Sequence, residues 1–309
     1  MGECLQGHLS NEVGAMIPSA KEVEHARELL SRYFRPARLV PAESLAQRSG
    51  GRVHLKIESD LPTGSFKPRG ALNALLMTAA RRPVPGFFTA STGNHGAAVT
   101  YAARIAKVGA TIFLPENPNP VKRARIVTLG AEVIERGDMG GSATSEGAAE
   151  FAREHGQYFL DEASDPLVPA GTARIAAEIL DEIPGPDVLF VPMGDTALIR
   201  GVAAEAKRRR PGVCIIGVQA EQAPAYVRSW QQGRVVIPDE SDTIADGLAS
   251  LRPLEANVIA IRELVDEVRL VSESKMLDAI RILLLGRNWT IQDSLFLKTE
   301  GWLCFRGLN

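Results

Sequence analysis

Apolar positions recur at helical spacing in SAKEVEHARELLSRYF, residues 19–34, where Val23, Ala26, Leu29, Leu30 and Phe34 share one face and predict a helix packed on one side. A strand is predicted in VHLKIES, residues 53–59, and a helix in ALNALLMTAARR, residues 71–82, which stops before Pro83. The pattern then alternates. FFTAS reads as strand, NHGAAVTYAARIAKVG as helix, ATIFLP as strand, NPVKRARIVTLG as helix and AEVIERG as strand. Gly109 and Gly130 follow two of these helices, where a left-handed capping residue is expected. SATSEGAAEFAREH predicts another helix and QYFLDEA another strand. PDVLFVPMGDTALIRGVAAEAKRRRPGVCIIGVQ then gives buried strand, glycine turn, helix and buried strand. Alternation with short connections implies parallel strands joined by crossover helices, an α/β architecture. After about Arg281 the period is lost, and GRNWTIQDSLFLKTEGWLCFRGLN gives no element.

Composition narrows the classes. The 309 residues, 45% apolar and 23% charged, suffice for one large or two moderate globular domains. Absent a repeat or long linker, a second domain is expected as an insertion in the first. A formal net charge of -2 gives no general attraction to nucleic acid or anionic membrane. Cys4, Cys214 and Cys304 match no paired or metal-binding spacing, so a reducing, cytoplasmic compartment is expected. The first residues lack the basic and apolar runs of a leader, and no run of ~18 apolar residues suggests a membrane span.

Three stretches could carry chemistry. In ASTGNHGAA, Ser91, Thr92, Gly93, Asn94, His95 and Gly96 follow a strand and open a helix, where ligands bind in α/β sheets. Free N–H groups there suit a carboxylate, although Ser91 and Thr92 could merely cap the helix, with His95 a surface residue. In VPMGDTALIRG, Gly194, Asp195, Thr196, Ala197 and Leu198 could cradle a phosphate or form a plain N-cap. Asp195 would repel a dianion unless it turns away or caps the helix. In GSFKPRGA, Lys67 lies between Phe66 and Pro68. A desolvated lysine there could join a carbonyl, whereas the ordinary alternative lays its stem on apolar surface with its head in water. The basic run from Lys207 to Arg210 fits the end of a helix, and the five histidines are too dispersed to read as a ligand set.

Taken in order, KIESDLPTGSFKPRGALNAL, STGNHGAAVTYAARIAKVGATIFLPENPNPVKRARIVTLGAEVIERG, the glycine turn and TIADGLA resemble the fold type II pyridoxal-phosphate enzymes, specifically the threonine/serine dehydratase and serine racemase branch. The resemblance covers roughly residues 35–282. It implies a tryptophan-synthase-β-like α/β fold, with a large doubly wound cofactor domain of residues 1–86 and 166–309 and a smaller inserted domain, residues 87–165, that closes over the substrate. It further implies that Lys67 forms a Schiff base with pyridoxal 5′-phosphate beside Phe66, and that Asn94 hydrogen-bonds the pyridoxal 3′-oxygen. Ser91, Thr92, Gly93 and His95 would grip a substrate carboxylate, and residues Gly194, Asp195, Thr196, Ala197 and Leu198 the cofactor phosphate. The implied activity is dehydration and deamination of a β-hydroxy amino acid to a 2-oxo acid and ammonia, by a homodimer. A racemase or β-replacement enzyme, and an inactive homologue serving as a binding subunit, are the alternatives.

The sequence departs from that family in four places. Only one glycine precedes the helix in the phosphate turn, and Thr92 leaves open the choice between dehydration and racemisation. Gln219 stands where metal-activated relatives carry glutamate, so no divalent ion is expected. No segment after Leu285 matches the family's strand and Ser-Gly-Gly turn at the pyridine nitrogen.

Overall fold

A computed structural model describes residues 13–91, 93–115, 118, 120–136, 142–183, 185–285 and 303–307. Helix α1 (Ala20–Ser31) starts on a reciprocal cap in which Glu22 N–H donates to Ser19 Oγ and Ser19 N–H donates to Glu22 Oε2. Its buried residues are Val23, Ala26 and Leu30. Strand β1 (Leu39–Pro41), helix α2 (Glu43–Ser49) and strand β2 (Arg52–Lys56) follow, before helix α3 (Lys67–Arg81). The sequence places the start of α3 at Ala71, but the helix begins at Lys67. Pro68 is tolerated because the first turn needs no intrahelical N–H partner.

The next segment contains β3 (Gly86–Ala90), α4 (Asn94–Ala106), β4 (Gly109–Pro115), α5 (Pro120–Thr128), β5 (Glu132–Arg136), α6 (Ser142–Glu154) and β6 (Tyr158–Phe159). Its strands form a four-stranded parallel sheet in the order β5-β4-β3-β6. Gly130 takes the expected positive φ of 99°. Gly109 does not: Lys107, with φ 58°, caps α4 in the left-handed region and Gly109 opens β4 instead. Phe87, Ile112 and Leu114 of this sheet share a core with Leu72 and Leu75 of α3 and Ala98 and Ala102 of α4.

The chain continues with α7 (Val168–Glu182), β7 (Val188–Pro192), α8 (Ala197–Arg209), β8 (Cys214–Ala220), α9 (Ala225–Gln232), α10 (Glu255–Leu264), β9 (Glu267–Val271) and α11 (Glu273–Leu285). As expected from the basic run, α8 closes on Lys207, Arg208 and Arg209, paired with Asp266, Glu205 and Asp181. A second, six-stranded sheet has the order β1-β2-β10-β7-β8-β9. Strand β10, Leu303–Gly307, lies antiparallel between β2 and β7, so the sheet is parallel only from β7 to β9. The unpatterned tail therefore supplies a strand that periodicity did not reveal. Leu189, Val191 and Ile215 pack with Ile175 and Ile179 of α7, Ile199 and Val202 of α8, and Ile261 of α10. A Cβ on Gly171 would collide with the Arg69 carbonyl, so only glycine allows α7 and α3 to approach this closely.

Beneath the start of α3 lies a buried ionic network. Arg69 donates to Glu58 at 2.7 and 3.0 Å and to Glu178 at 2.8 Å through two nitrogens. Lys56 and Arg174 complete Glu178, each at 2.8 Å. Burial would lower the Arg69 guanidinium, but Glu58 and Glu178 outweigh it and raise its pKa. Burial would likewise raise Glu178, yet Arg69 first and Lys56 after it hold the carboxyl down to about 2.

Candidate active site

Lys67, the first residue of α3, is only 8% exposed. Its Nζ lies 2.5 Å from Glu162 Oε2, 3.7 Å from Asp195 Oδ2 and 5.0 Å from the centre of the Phe66 ring. The surface alternative, a stem on apolar ground with its head in water, does not describe this lysine. The turn before it, through Gly64 at φ 64°, brings the chain from β2 into α3 so that the amine faces inward.

The glycine turn lies opposite. Phe66, Lys67, Pro192, Gly194, Asp195 and Leu198 line a small recess, closed by Gly247 and Leu248. A Cβ on Gly194 would sit 3.1 Å from Gly247 O and 3.3 Å from Leu248 Cα, so a side chain there would press on backbone. Asp195 caps the helix, its Oδ1 accepting from Ala197 N–H at 3.0 Å. Burial would raise the Asp195 carboxyl, but Lys67, the Ala197 N–H and the Glu162 side chain hold it below the usual range. Thr196 is buried in the left-handed region at φ 76°, with its Oγ1 accepting from Arg200 Nε at 3.2 Å. Thr172 Oγ1 donates to Ala197 O at 2.9 Å and fixes the turn against α7.

From the ASTGNHGAA stretch, the structure brings His95 to Glu162, the partner of Lys67. His95 is buried rather than at the surface, with Nε2 3.1 Å from Leu160 O and Nδ1 3.4 Å from Glu162 Oε2. Burial, and then Lys67, push its imidazole down to about 4. Ser91 Oγ accepts from Gly93 N–H at 3.3 Å and, among the described residues, no side chain caps α4, so the capping alternative does not hold for Ser91. Asn94 is the first residue of α4 and is half-buried; Thr92 lies outside the described residues. Gln219 is occupied in placing α9, its Oε1 accepting from Val227 N–H at 2.9 Å.

Sequence reasoning missed Glu162 and Arg200. Glu162 falls in QYFLDEA, read as a strand, but only Tyr158 and Phe159 pair as one. The available signal was an acidic pair, Asp161 and Glu162, just past a strand's carboxyl end. Arg200, fully buried one turn into α8, ties the glycine turn to Met16 O at 3.1 Å and Ala163 O at 2.9 Å.

A buried amine facing a recess at a helix N-terminus has the chemistry to take a carbonyl compound that carries an anion. Residues 30–290 match the family model described as pyridoxal-phosphate dependent enzyme. The chain belongs to that family. It is similar to the L-threonine ammonia-lyase of Thermotoga maritima, 34% identical over 264 residues that make up 85% of this chain and 66% of the relative. The corresponding shares for the L-threonine ammonia-lyase of Geobacter sulfurreducens are 85% and 65%, at 35% identity. The chain thus spans just under two thirds of the length of these two relatives. Among solved structures, a threonine deaminase from T.th. superposes with a TM-score of 0.83 at 31% identity, over 91% of each chain. Maize serine racemase gives 0.85 at 24% identity, over 90% of this chain and 84% of the other, and so speaks for the fold alone.

The residues fit the family's cofactor. The recess puts an amine next to an aromatic ring and a backbone floor that a Cβ on Gly194 would crowd, and the first N–H groups of α8 have no partner within the helix. Asp195 already accepts one of them, at Ala197, and so contributes a negative charge at the edge of the anion's place.

Proposed function

We propose that the chain is a pyridoxal-phosphate-dependent lyase that dehydrates and deaminates a β-hydroxy amino acid of the threonine or serine type, giving a 2-oxo acid and ammonia. The observation that carries this reading is the buried Lys67 amine at the mouth of the glycine turn, in a chain 34% identical to an L-threonine ammonia-lyase. Lys67 would hold the cofactor as a Schiff base, Phe66 flank it, Asn94 bond its 3′-oxygen, and residues Gly194, Asp195, Thr196, Ala197 and Leu198 receive its phosphate. When bound, the cofactor supplies an electron sink for charge developing at the substrate α-carbon. The remaining work belongs to the chain. Lys67, once its amine is released from the cofactor, takes the proton from the α-carbon. Ser91, Thr92 and Gly93, with the N–H groups opening α4, orient the substrate carboxylate, and neutral His95 closes that wall. Phe66 and Leu198 keep water from the reacting atoms.

Residues 1–86 and 166–309 would form the large cofactor domain and 87–165 the small closing one. The support is that the four-stranded sheet is built only from strands between Gly86 and Phe159. A cytoplasmic homodimer completes the reading; three scattered cysteines, of which Cys214 is free, support the compartment.

The test is borohydride reduction of the cofactor-loaded chain with peptide mapping, followed by a screen of hydroxy amino acids for ammonia release. A reduced adduct on Lys67 together with a 2-oxo acid product is the expected result. An unmodified Lys67 would sink the reading; a D-amino acid accumulating without a 2-oxo acid would make the enzyme a racemase.

A further inference from the structure

Glu162 is a buried carboxylate, 6% exposed, that the reaction as proposed does not use. Its Oε2 sits between two nitrogens, Lys67 Nζ at 2.5 Å and His95 Nδ1 at 3.4 Å. The Leu160 carbonyl fixes what His95 offers: a carbonyl oxygen only accepts, so Nε2 carries the imidazole proton and Nδ1 is left with its lone pair. A lone pair 3.4 Å from an ionised carboxylate is repulsive, whereas beside a protonated one the repulsion is relieved. The same oxygen on its other side faces an ammonium, which suits the ionised form. The pocket around Glu162 is therefore complementary to both positions of a single proton.

We infer that Glu162 is the proton partner of Lys67, pairing with the ammonium in one state and taking its proton in the other, with His95 Nδ1 receiving the hydrogen bond of the resulting carboxylic acid. The exchange balances within the site. Lys67 ammonium and Glu162 carboxylate become Lys67 amine and Glu162 carboxyl, and nothing passes to solvent. The other charges facing Glu162 do not remove either state. Asp195, from the turn before α8, hydrogen-bonds the Glu162 side chain, so its carboxylate is a second acceptor for a proton on Glu162 and favours the carboxyl form. Arg200 of α8 favours the ionised form. The inference rests on Lys67 being the lysine that joins the cofactor, because only then does its amine need to be freed and recharged in each turnover.

The deciding experiment uses the cofactor-free chain. Competitive acylation by acetic anhydride across about pH 6 to about pH 11, with mass mapping of the Lys67 peptide, gives the titration midpoint of that amine. Glu162→Gln keeps the shape and removes the charge, and is expected to lower the midpoint by about 1–3 units. Asp195→Asn, at 3.7 Å, lowers it less. His95→Gln moves it the other way, because losing the lone pair favours ionised Glu162 and so the ammonium. In the cofactor-loaded chain the pH at which the visible absorbance changes falls in Glu162→Gln, and kcat drops about 10²-fold with KM little altered. An unchanged Lys67 midpoint in Glu162→Gln would falsify the inference. Should that variant fail to fold, an unchanged or lowered midpoint in His95→Gln overturns it equally. Failure of borohydride to mark Lys67 would instead remove the proposed function and leave the cofactor-free titration standing, so the two outcomes are distinguishable.

Discussion

Lys67 and Arg69 stand two residues apart on the first turn of α3, both are buried, and both face two carboxylates. Arg69 meets Glu58 and Glu178 with four hydrogen bonds, and Lys56 and Arg174 help neutralise those acids. A guanidinium cannot give up its proton under such conditions, so the network is a fixed clamp. Lys67 meets Glu162 and Asp195 with one compact ammonium, beside a neutral imidazole and an open recess. An amine can lose its proton there. The clamp and the reactive group use the same kinds of charge; what separates them is whether the cation can be discharged and whether space remains beside it.

The difference is sharpest in Lys67→Ala. Activity on a hydroxy amino acid should fall about 10⁴-fold or more, ~5 kcal/mol at the barrier, while the thermal midpoint falls less than in an Arg69 variant because Glu162, beside Asp195, can be neutralised by a proton. Steady-state assays and calorimetry on the same sample check both halves. Equal loss in folding and activity would erase the contrast. For Arg69→Met the order reverses. Removing one partner from a buried ion network strands Glu58 and Glu178, and urea unfolding should show a loss of ~3–5 kcal/mol. Arg69→Lys is expected to rescue only part of it, since an ammonium cannot reach both carboxylates as the fork does.

The two clusters should also fail in different pH windows. His95 has a folded pKa of about 4 against 6.5 in the free group, so the unfolded chain binds the extra proton first. Stability from this site is full above pH 6.5 and declines as pH falls toward about 4, by ~3 kcal/mol. Glu178 has its folded value held to about 2 from 4.5. The clamp's contribution is therefore intact above pH 4.5 and is lost as pH falls toward about 2, again by ~3 kcal/mol. Urea midpoints taken stepwise across that range should show two declines, and His95→Gln should flatten only the upper one. The smallest effect is expected from Gly194→Ala, where the new methyl group meets the Gly247 carbonyl oxygen and Leu248 Cα. A destabilisation of ~1–2 kcal/mol and about tenfold weaker cofactor binding, read by spectral titration, would separate the recess from both clusters.

The sequence showed Lys67 and concealed its partner for a physical reason. Helical and strand periods report which face is covered, and they located α4, β4, α5 and β5 closely. The lysine stood out because aromatic, proline and glycine neighbours are unusual around a solvated amine. Glu162 lies 95 residues away on a segment that leaves the sheet after Phe159, and no local pattern says which acid of the Asp161–Glu162 pair turns inward. Arg69 was invisible for the same reason: its partners come from residue 58 and residue 178. Where the pattern misled, at Gly109, a lysine took the left-handed turn that glycine would adopt more easily. Strand β10 escaped because LCFRG shows no alternation of apolar and polar positions to mark it as a strand.

That late strand governs the order of assembly. Residues 303–307 separate β2 from β7, so the two halves of the six-stranded sheet join through a strand made after all the others in it. A nascent chain must carry two unpaired sheet edges until then, and a ribosome stalled shortly before that point would leave both open to other polypeptides.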